Sequence, residues 1–419
     1  MRSTQQFLAI LLASISATTF AADWPQYRGI HGDGKSTETI ADVNWESTPP
    51  SPLWKIETPL GFSSFSIANG IAVTLVAVGD DGAKKETCIA VDVASGDELW
   101  RASFGDSEYG HDGGNSGASD NRGGDGPRST PSCDGEHVYV YDSHMLLTCL
   151  NAKNGEIIWQ RDVLKDYEGE DIKWKNASSP VLDANNVYVG GGGDGQSFLA
   201  FNKSTGELVW KSGDETITHA TPTLASINGQ QQLVYFTQFG LVSVNAGTGS
   251  EIWRCKFPFS VSTAASPIVD NNLVYCSAGY GVGAGLFDIK GSEAEEIWFQ
   301  ANKLMNHWST PIVHDGHLYG IFEFKKYGSA PLNCVDLKTG EIKWSQRGFG
   351  PGNCILADEK LIVLSDAGEV AIVAAKPDEY TELARAKVLN GKCWSTPALS
   401  NGKLIVRSTE EAVCLDVSP

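Results

Sequence analysis

Apolar and polar residues alternate along most of the chain in short runs that are separated by turn residues. One such run, Cys88-Ile-Ala-Val-Asp92, is followed by the turn residues Val-Ala-Ser-Gly-Asp and then by Glu98-Leu-Trp100. Alternation with a period of two indicates half-buried β-strands, and a glycine in the turn permits the positive φ of a tight hairpin. The pattern therefore predicts hairpins whose second strand ends in a tryptophan.

This hairpin is an internal repeat. From Trp54 onward the tryptophans that end it are 46, 59, 51, 43, 45 and 46 residues apart, which is the period of β-propeller blades. The copies end at Trp100, Trp159, Trp210, Trp253 and Trp344, with a looser copy at Trp298.

Each period begins with another hairpin, which starts at a small residue followed closely by proline. Proline suits the first residue of a strand, where no ladder hydrogen bond is lost. Two hairpins per period make a four-stranded blade. The eight starts lie at Ser129, Ser178, Ala220, Ala265, Ser309 and Ser395 and, in degenerate form, within 64–73 and 352–364.

These repeats predict an all-β chain with one eight-bladed β-propeller of four-stranded antiparallel blades over residues 51–419. The seventh blade lacks a tryptophan, and its outer strand is expected near 382–387. The last three strands have no outer partner, whereas the strand around Trp54 has no inner partners. We therefore expect the N-terminal strand to close the ring and remove an open sheet edge. A seven-bladed ring is the alternative if one degenerate unit is a loop.

Residues 1–21 have the pattern of a secretory signal peptide, with Arg2, an apolar stretch from Phe7 to about Ile15, and small residues before the cleavage site. We expect cleavage after Ala21, an N-terminal extension over 22–50, and export to the periplasm or the exterior of a bacterium. An uncleaved anchor helix is the alternative, although the apolar stretch is shorter than the roughly 20 residues of a membrane span. No cysteine directly follows the cleavage site, the first being Cys88, so no lipid anchor is expected.

Charge and cysteine content exclude several classes of function. The chain carries 32 basic and 51 acidic residues, a formal net charge of −19, which repels nucleic acid. Its nine cysteines include no Cys-x-x-Cys pair, which excludes the c-type haem motif and thioredoxin-like chemistry. Cys149, Cys334 and Cys414 occupy equivalent repeat positions and are interpreted as small buried hydrophobes. Disulfide pairing among the others stays open.

The unit Asp/Asn-x-x-Thr-Gly-Glu-x-x-Trp resembles the tryptophan-docking motif of the PQQ-like β-propeller superfamily, which includes BamB-like and quinoprotein-type propellers. The opening Asp23-Trp-Pro-Gln-Tyr-Arg-Gly29 is similar to that of secreted single-domain bacterial members. The resemblance implies the propeller fold over nearly all of the chain after the signal peptide. It does not settle the function, because function lies in sites built on folds.

Two classes of function compete. The resemblance implies either a non-catalytic binding or interaction protein, acting as a BamB-like scaffold or small-anion binder, or an alcohol or sugar dehydrogenase that uses PQQ with Ca²⁺. The vicinal Cys-Cys pair of many alcohol-oxidising members is missing, and no haem domain is recognised. We therefore expect a non-catalytic protein with a protein partner or a small anionic ligand, and we assign no assured cofactor.

The segments just before the inner strands of a propeller meet at one mouth of its central channel. Here they bring together basic and aromatic side chains, which can hold a small anion and stack on a flat ligand. The alternative is that the tryptophans cap the core and the polar groups bond loop carbonyls. The ten residues of this predicted funnel are Arg128, Lys175, Asn176, His219, Asn306, His307, Trp308, Asn353, Lys392 and Trp394.

Loops on the same face carry further polar residues. Carboxylates among them can bind Ca²⁺, but their spacing matches no metal motif, so no metal ligand and no catalytic residue is assigned. The long polar insertion at 105–125 is either a lid over the funnel, with His111 and Asp112 reaching in, or disordered. The hairpin-loop residues are Asp142, His144, Asp194, Glu323, Lys325 and Asp366.

Overall fold

The computed structural model describes residues 23–107, 109, 126–259, 263–322 and 330–419. The expected signal peptide, most of the insertion at 105–125 with His111 and Asp112, and the loop residues Glu323 and Lys325 lie outside these residues. The described chain forms eight sheets, each built on four antiparallel strands. The prediction of an eight-bladed propeller is therefore confirmed.

The first half of the ring follows the predicted hairpin order. Two short strands, β1 (Lys35–Ser36) and β2 (Trp54–Glu57), precede the first complete blade. Blade 1 contains β3 (Ser66–Ala68), β4 (Ile71–Val78), β5 (Lys85–Asp92) and β6 (Glu98–Asp106). Blade 2 contains β7 (Ser132–Cys133), β8 (His137–Tyr141), β9 (Leu146–Asn151) and β10 (Ile157–Asp162), followed by the single helical turn α1 (Val163–Asp166). Blade 3 contains β11 (Val181–Leu182), β12 (Asn186–Gly190), β13 (Phe198–Asn202) and β14 (Leu208–Ser212).

The second half repeats the same order. Blade 4 contains β15 (Thr223–Ile227), β16 (Gln230–Phe236), β17 (Gly240–Asn245) and β18 (Glu251–Lys256). Blade 5 contains β19 (Ile268–Asp270), β20 (Leu273–Ala278), β21 (Gly283–Lys290) and β22 (Glu293–Ala301). Blade 6 contains β23 (Ile312–His314), β24 (His317–Ile321), β25 (Leu332–Asp336) and β26 (Ile342–Gln346). Blade 7 contains β27 (Asn353–Ala357), β28 (Lys360–Leu364), β29 (Glu369–Ala374) and β30 (Glu382–Lys387), and blade 8 contains β31 (Ala398–Ser400), β32 (Lys403–Arg407) and β33 (Glu411–Asp416).

The first strand of each blade lines the axis of the ring. Strands β15 and β19 contact each other across blades, as do β19 and β23, and β23 and β27. Successive blades pack face to face through apolar clusters, such as the one that Leu147, Trp159 and Leu199 form between blades 2 and 3. Burial of these faces supplies the hydrophobic stabilisation of the ring.

The outer-strand tryptophan fixes each blade to the next. Trp100 Nε1 donates a hydrogen bond to the carbonyl oxygen of Ala152 at 2.8 Å. A Cβ atom on Gly155 would lie 2.6 Å from the Trp100 ring, so only glycine fits at this turn. Trp253 is an exception, because its Nε1 donates to the side chain of Gln232 in its own blade. Equivalent bonds to the next blade come from Trp54, Trp159, Trp210, Trp298 and Trp344.

The N-terminal strand closes the ring as predicted. Strand β2 pairs antiparallel with β33, and Trp54 lies opposite Cys414. Cys149 and Cys334 likewise lie opposite the tryptophans of their own blades, so the three equivalent cysteines share one packing position. All three are buried, and all nine cysteines of the chain are free thiols.

Residues 23–50, called the strap here, cross the axis on the face where the inner hairpins turn. Trp24 forms a bridge with Ile67 of β3, and β1 adds to β27 as a parallel fifth strand of blade 7. Arg28 is 2% exposed and donates to the carbonyl oxygens of Thr310 and Pro311 at 2.6 and 2.8 Å. The sequence predicted an extension here but not its function, which is to tie distant blades together on the face opposite the predicted funnel.

Candidate functional site

A belt of hydroxyl groups fixes the starts of the inner strands around the channel. At five places, a backbone N–H donates to a serine or threonine oxygen in a neighbouring blade, at 2.7 to 2.9 Å. The funnel segments lie directly before these residues, so the belt holds them in fixed positions. The donor and acceptor residues are Ser64 and Thr130, Thr130 and Ser179, Ser179 and Thr221, Ser266 and Thr310, and Thr396 and Ser64.

A row of aromatic rings follows part of the mouth. Phe62 stacks on Trp394 with ring centroids 4.9 Å apart, and Trp394 lies 4.2 Å from Trp308. These two tryptophans belong to blades 8 and 6, and Trp308 Nε1 donates a hydrogen bond to the carbonyl oxygen of Pro351, in the segment of blade 7 between them, at 3.1 Å. The row continues from Trp308 to His307 at 4.8 Å. Phe62 was not among the predicted site residues, although its place before the inner strand of blade 1 matches that of the tryptophans.

Two of the predicted cations lie over this row. The Lys392 ammonium is 4.9 Å from the centre of the Trp394 ring, and the Arg128 guanidinium is 5.6 Å from that of Phe62. Both side chains are half-buried. A cation over an aromatic face is stabilised by the ring quadrupole.

Two predicted histidines are neutral at the inner side of the mouth. Burial lowers the pKa of His219 to about 4, helped by the nearby charge of Arg128. Burial lowers the pKa of His307 to about 3. The Nε2 atom of His219 lies 2.8 Å from the carbonyl oxygen of Lys173, so Nε2 carries the proton and Nδ1 presents a buried lone pair. The imidazole of His219 is therefore neutral and is held in place by the Lys173 carbonyl.

The three predicted asparagines serve the scaffold. Asn176, Asn306 and Asn353 are each at most 2% exposed. The Asn353 amide donates to the carbonyl oxygen of Trp394 at 2.5 Å, and that of Asn306 donates to Ile321 at 2.8 Å. Their bonds to loop carbonyls hold the mouth in shape, so these side chains position the funnel walls.

Lys175, also predicted in the funnel, binds Asp171 with its ammonium at 2.7 Å. Of the ten predicted residues, the structure thus brings six into one aromatic, cationic and imidazole surface. That surface consists of Arg128, His219, His307, Trp308, Lys392 and Trp394.

A buried pair of acids lies between blades 1 and 2. Glu86 of β5 is fully buried, accepts the Tyr109 hydroxyl, and accepts the Ser143 N–H at 3.0 Å. Asp142 is 1% exposed; one of its oxygens accepts two backbone N–H groups, and the other has no described partner. Burial and the charge of Glu86 raise the pKa of Asp142 to about 7. The alternating strand pattern gave no sign of Glu86, because it stands at an inward-facing position of an apolar strand.

The opposite face carries a small group of possible metal ligands that sequence spacing did not reveal. His314 Nε2 lies 2.9 Å from Glu359 Oε2 of the next blade and 3.7 Å from Asp315 Oδ2. The three ligand atoms lie within 4.8 Å of one another. Both carboxylates are largely exposed, so this group lies in a solvated turn far from the funnel.

The sequence is similar to those of several known bacterial proteins. The family model described as outer membrane protein assembly factor BamB matches residues 84–346. The BamB protein of Yersinia pestis is 22% identical over 294 residues, covering 67% of this chain and 71% of that protein. Tetrathionate hydrolase of Acidithiobacillus ferrooxidans is 24% identical over 221 residues, 53% of this chain but 37% of the enzyme.

Solved structures share the fold. BamB of Moraxella catarrhalis aligns with a TM-score of 0.60 and 14% identity, covering 87% of this chain and 97% of that one. The quinohemoprotein alcohol dehydrogenase of Comamonas testosteroni aligns with a TM-score of 0.67 and 12% identity, covering 95% and 81%. At these identities the likeness extends to the propeller alone. Over the residues described, the chain has no helix with the length and apolarity of a membrane span.

Proposed function

The chain belongs to the family described as outer membrane protein assembly factor BamB, and from this we propose that it is an exported propeller that binds and does not catalyse. The names of its bacterial relatives support a role in protein interaction. The first 21 residues, with their signal-peptide pattern, support export to the periplasm or beyond. Its ligand site is the funnel.

The observation that supports this site best is the aromatic row with its two cations. A flat ring can pack against the half-buried Trp308 at this row while a carboxylate on that ring reaches Arg128 or Lys392. The ligand class is therefore a small planar anion.

The residues described do not favour Ca²⁺ in the funnel. Calcium takes six to eight oxygen ligands. One oxygen of Asp366 accepts Trp394 Nε1 at 2.8 Å, and both oxygens of Glu86 accept protein donors. Asp142 offers one oxygen without a described partner. This set of oxygen donors suits Ca²⁺ poorly, which disfavours a dehydrogenase that uses PQQ with Ca²⁺. That dehydrogenase is the competing function, and the experiments are designed to distinguish it from binding alone.

A panel of anions tests the ligand class by thermal shift on the purified protein. Pyridine-2,6-dicarboxylate is planar and charged, citrate is charged but not planar, and benzamide is planar but neutral. We expect saturable stabilisation by the first and weaker effects from the other two. Equal stabilisation by citrate and the planar acid would show that the aromatic row contributes nothing.

Arg128→Ala locates the site. We expect this variant to lose most of the stabilisation by pyridine-2,6-dicarboxylate while it melts as the parent does without ligand, because the half-buried side chain leaves no core cavity. Arg101→Ala is the matched control, since Arg101 is an exposed outer-strand residue paired with Glu98. An unchanged ligand response in Arg128→Ala would count against the funnel.

A further inference from the structure

A cavity of about 320 Å³ lies between the strap and the inner strands of neighbouring blades. Its walls are strap residues 26–33 and the inner strands of blades 3, 4 and 5. This volume is at the lower end of the range for ligand pockets. Nothing in the proposed function uses this cavity.

The strap leaves two blades uncovered. Its hydrogen bonds in the described part of the chain reach the inner segments of blades 1, 2, 3, 6, 7 and 8. Among the residues that the structure describes, no such bond reaches β15 of blade 4 or β19 of blade 5. The cavity lies where β15 and β19 face the axis of the ring. One of its walls is therefore the inner edge of β15, to which the strap makes no described hydrogen bond.

Strand β15 has an open edge along this cavity. The inner strands of blades 1, 2, 7 and 8 are buried throughout, whereas four of the five residues of β15 are partly or fully exposed. Within the described part of the chain β15 pairs with β16 alone, through the two-residue turn Asn228-Gly229, whose residues both have positive φ. A two-residue hairpin of this kind makes Ile227 and Gln230 a hydrogen-bonded pair.

Hydrogen bonding in an antiparallel pair alternates from residue to residue. Ala225 and Thr223 therefore bond β16, as Ile227 does, and Leu224 and Ser226 turn their N–H and C=O groups to the opposite edge. The cavity lies along this edge, and residues 223–226 all line it. The N–H and C=O groups of Leu224 and Ser226 therefore face the cavity at the spacing found along a β-strand.

The same protein already fills such edges with extended chain. Strand β1 pairs with the inner edge of β27, and Trp24 pairs with Ile67 of β3. The cavity beside β15 continues this strap interface around the axis. Its walls also carry apolar side chains that are only partly buried, namely Leu182, Leu224 and Val269.

We propose that the inner edge of β15 binds an extended peptide, which adds to blade 4 as a fifth strand. Leu224 and Ser226 make the main-chain hydrogen bonds, and alternate apolar side chains of the peptide pack on Leu182, Leu224 and Val269. Main-chain bonds give affinity in this mode of recognition, and side-chain pockets give selectivity. The partner is a protein segment with apolar residues at every second position.

Amide hydrogen exchange on the full protein tests the proposal directly. The probe is the blocked peptide acetyl-Thr-Val-Thr-Val-Thr-amide, and its control is the same peptide N-methylated at alternate residues, which keeps the side chains but removes backbone donors. We expect the unmethylated peptide to slow exchange of the Leu224 and Ser226 amides. The Ala225 amide, already bonded to β16, serves as the internal reference and should change little. Uniform or absent protection along β15 would overturn the proposal.

Two variants at one position give a second test. Ser226→Pro removes an N–H that faces the cavity and costs no ladder bond to β16, whereas Ser226→Ala keeps that N–H. We expect the proline variant to bind the peptide about fivefold more weakly, the value of one hydrogen bond, and the alanine variant to bind as the parent does. Equal affinity of the two variants would contradict a strand addition at this edge, and the exchange experiment decides the matter if Ser226→Pro does not fold.

Discussion

Replacement of Asp142 by asparagine should stabilise the protein in a strongly pH-dependent way. The buried Asp142 carboxyl has a pKa of about 7, against 3.8 when unperturbed. Between these values the folded state holds a proton that the unfolded state has released, so stability falls as pH rises toward 7. A shift of about three units at 1.36 kcal/mol each gives an upper bound of about 4 kcal/mol at pH 8.

Asparagine keeps the oxygen that accepts the N–H groups of His144 and Leu146, both at 2.9 Å, but carries no charge beside Glu86. Urea unfolding from pH 4.5 to pH 8 should therefore show a difference between variant and parent that is small in acid and grows with pH. Asp194→Asn, in an exposed hairpin loop, is the matched control and should stay within about 0.5 kcal/mol of the parent. A difference that does not depend on pH would refute the reasoning.

Two further variants test the ring and the funnel by urea unfolding. Trp54→Ala should lower the free energy of unfolding by about 3–5 kcal/mol, because it removes a buried ring and the bond to Val93. The control Leu53→Ala changes an exposed side chain and should cost less than about 0.5 kcal/mol. Similar losses of stability in the two variants would argue against ring closure. The folded-state pKa of His219 is about 4, so protonation of the unfolded chain weakens the fold as pH falls from 6.5 toward 4, and His219→Gln should recover about 3 kcal/mol of that loss. If the variant and the parent lose stability equally in acid, His219 is not buried in neutral form.

Local sequence patterns predicted most of the fold. The spacing of the tryptophans and the glycine-containing turns predicted the blades. The tryptophan ring of the preceding blade packs directly on each turn glycine, where a Cβ atom would not fit. The unpaired strand at Trp54 predicted closure, since an open propeller would leave a sheet edge exposed. Strand β30 lies at Glu382–Lys387, where the pattern placed it without a tryptophan.

Features that depend on contacts between distant segments were not predicted. Arg28 is buried by carbonyl groups of blade 6, 282 residues away, and no local pattern indicates such a contact. Glu86 meets Asp142 only because blades 1 and 2 pack face to face. Within the funnel, the sequence indicated which segments meet at the mouth, but the asparagines and the paired Lys175 are distinguished from the ligand-facing residues only by their hydrogen bonds.

The central claim is that the funnel binds a planar anion without catalysing a reaction. The most direct measurement titrates the purified protein with PQQ, with and without Ca²⁺, by thermal shift and absorbance, and then follows dye reduction with a panel of alcohols and sugars. The account predicts saturable stabilisation that does not require Ca²⁺ and no dye reduction. Dye reduction that depends on PQQ and Ca²⁺ would contradict it and identify the funnel as the active site of a dehydrogenase.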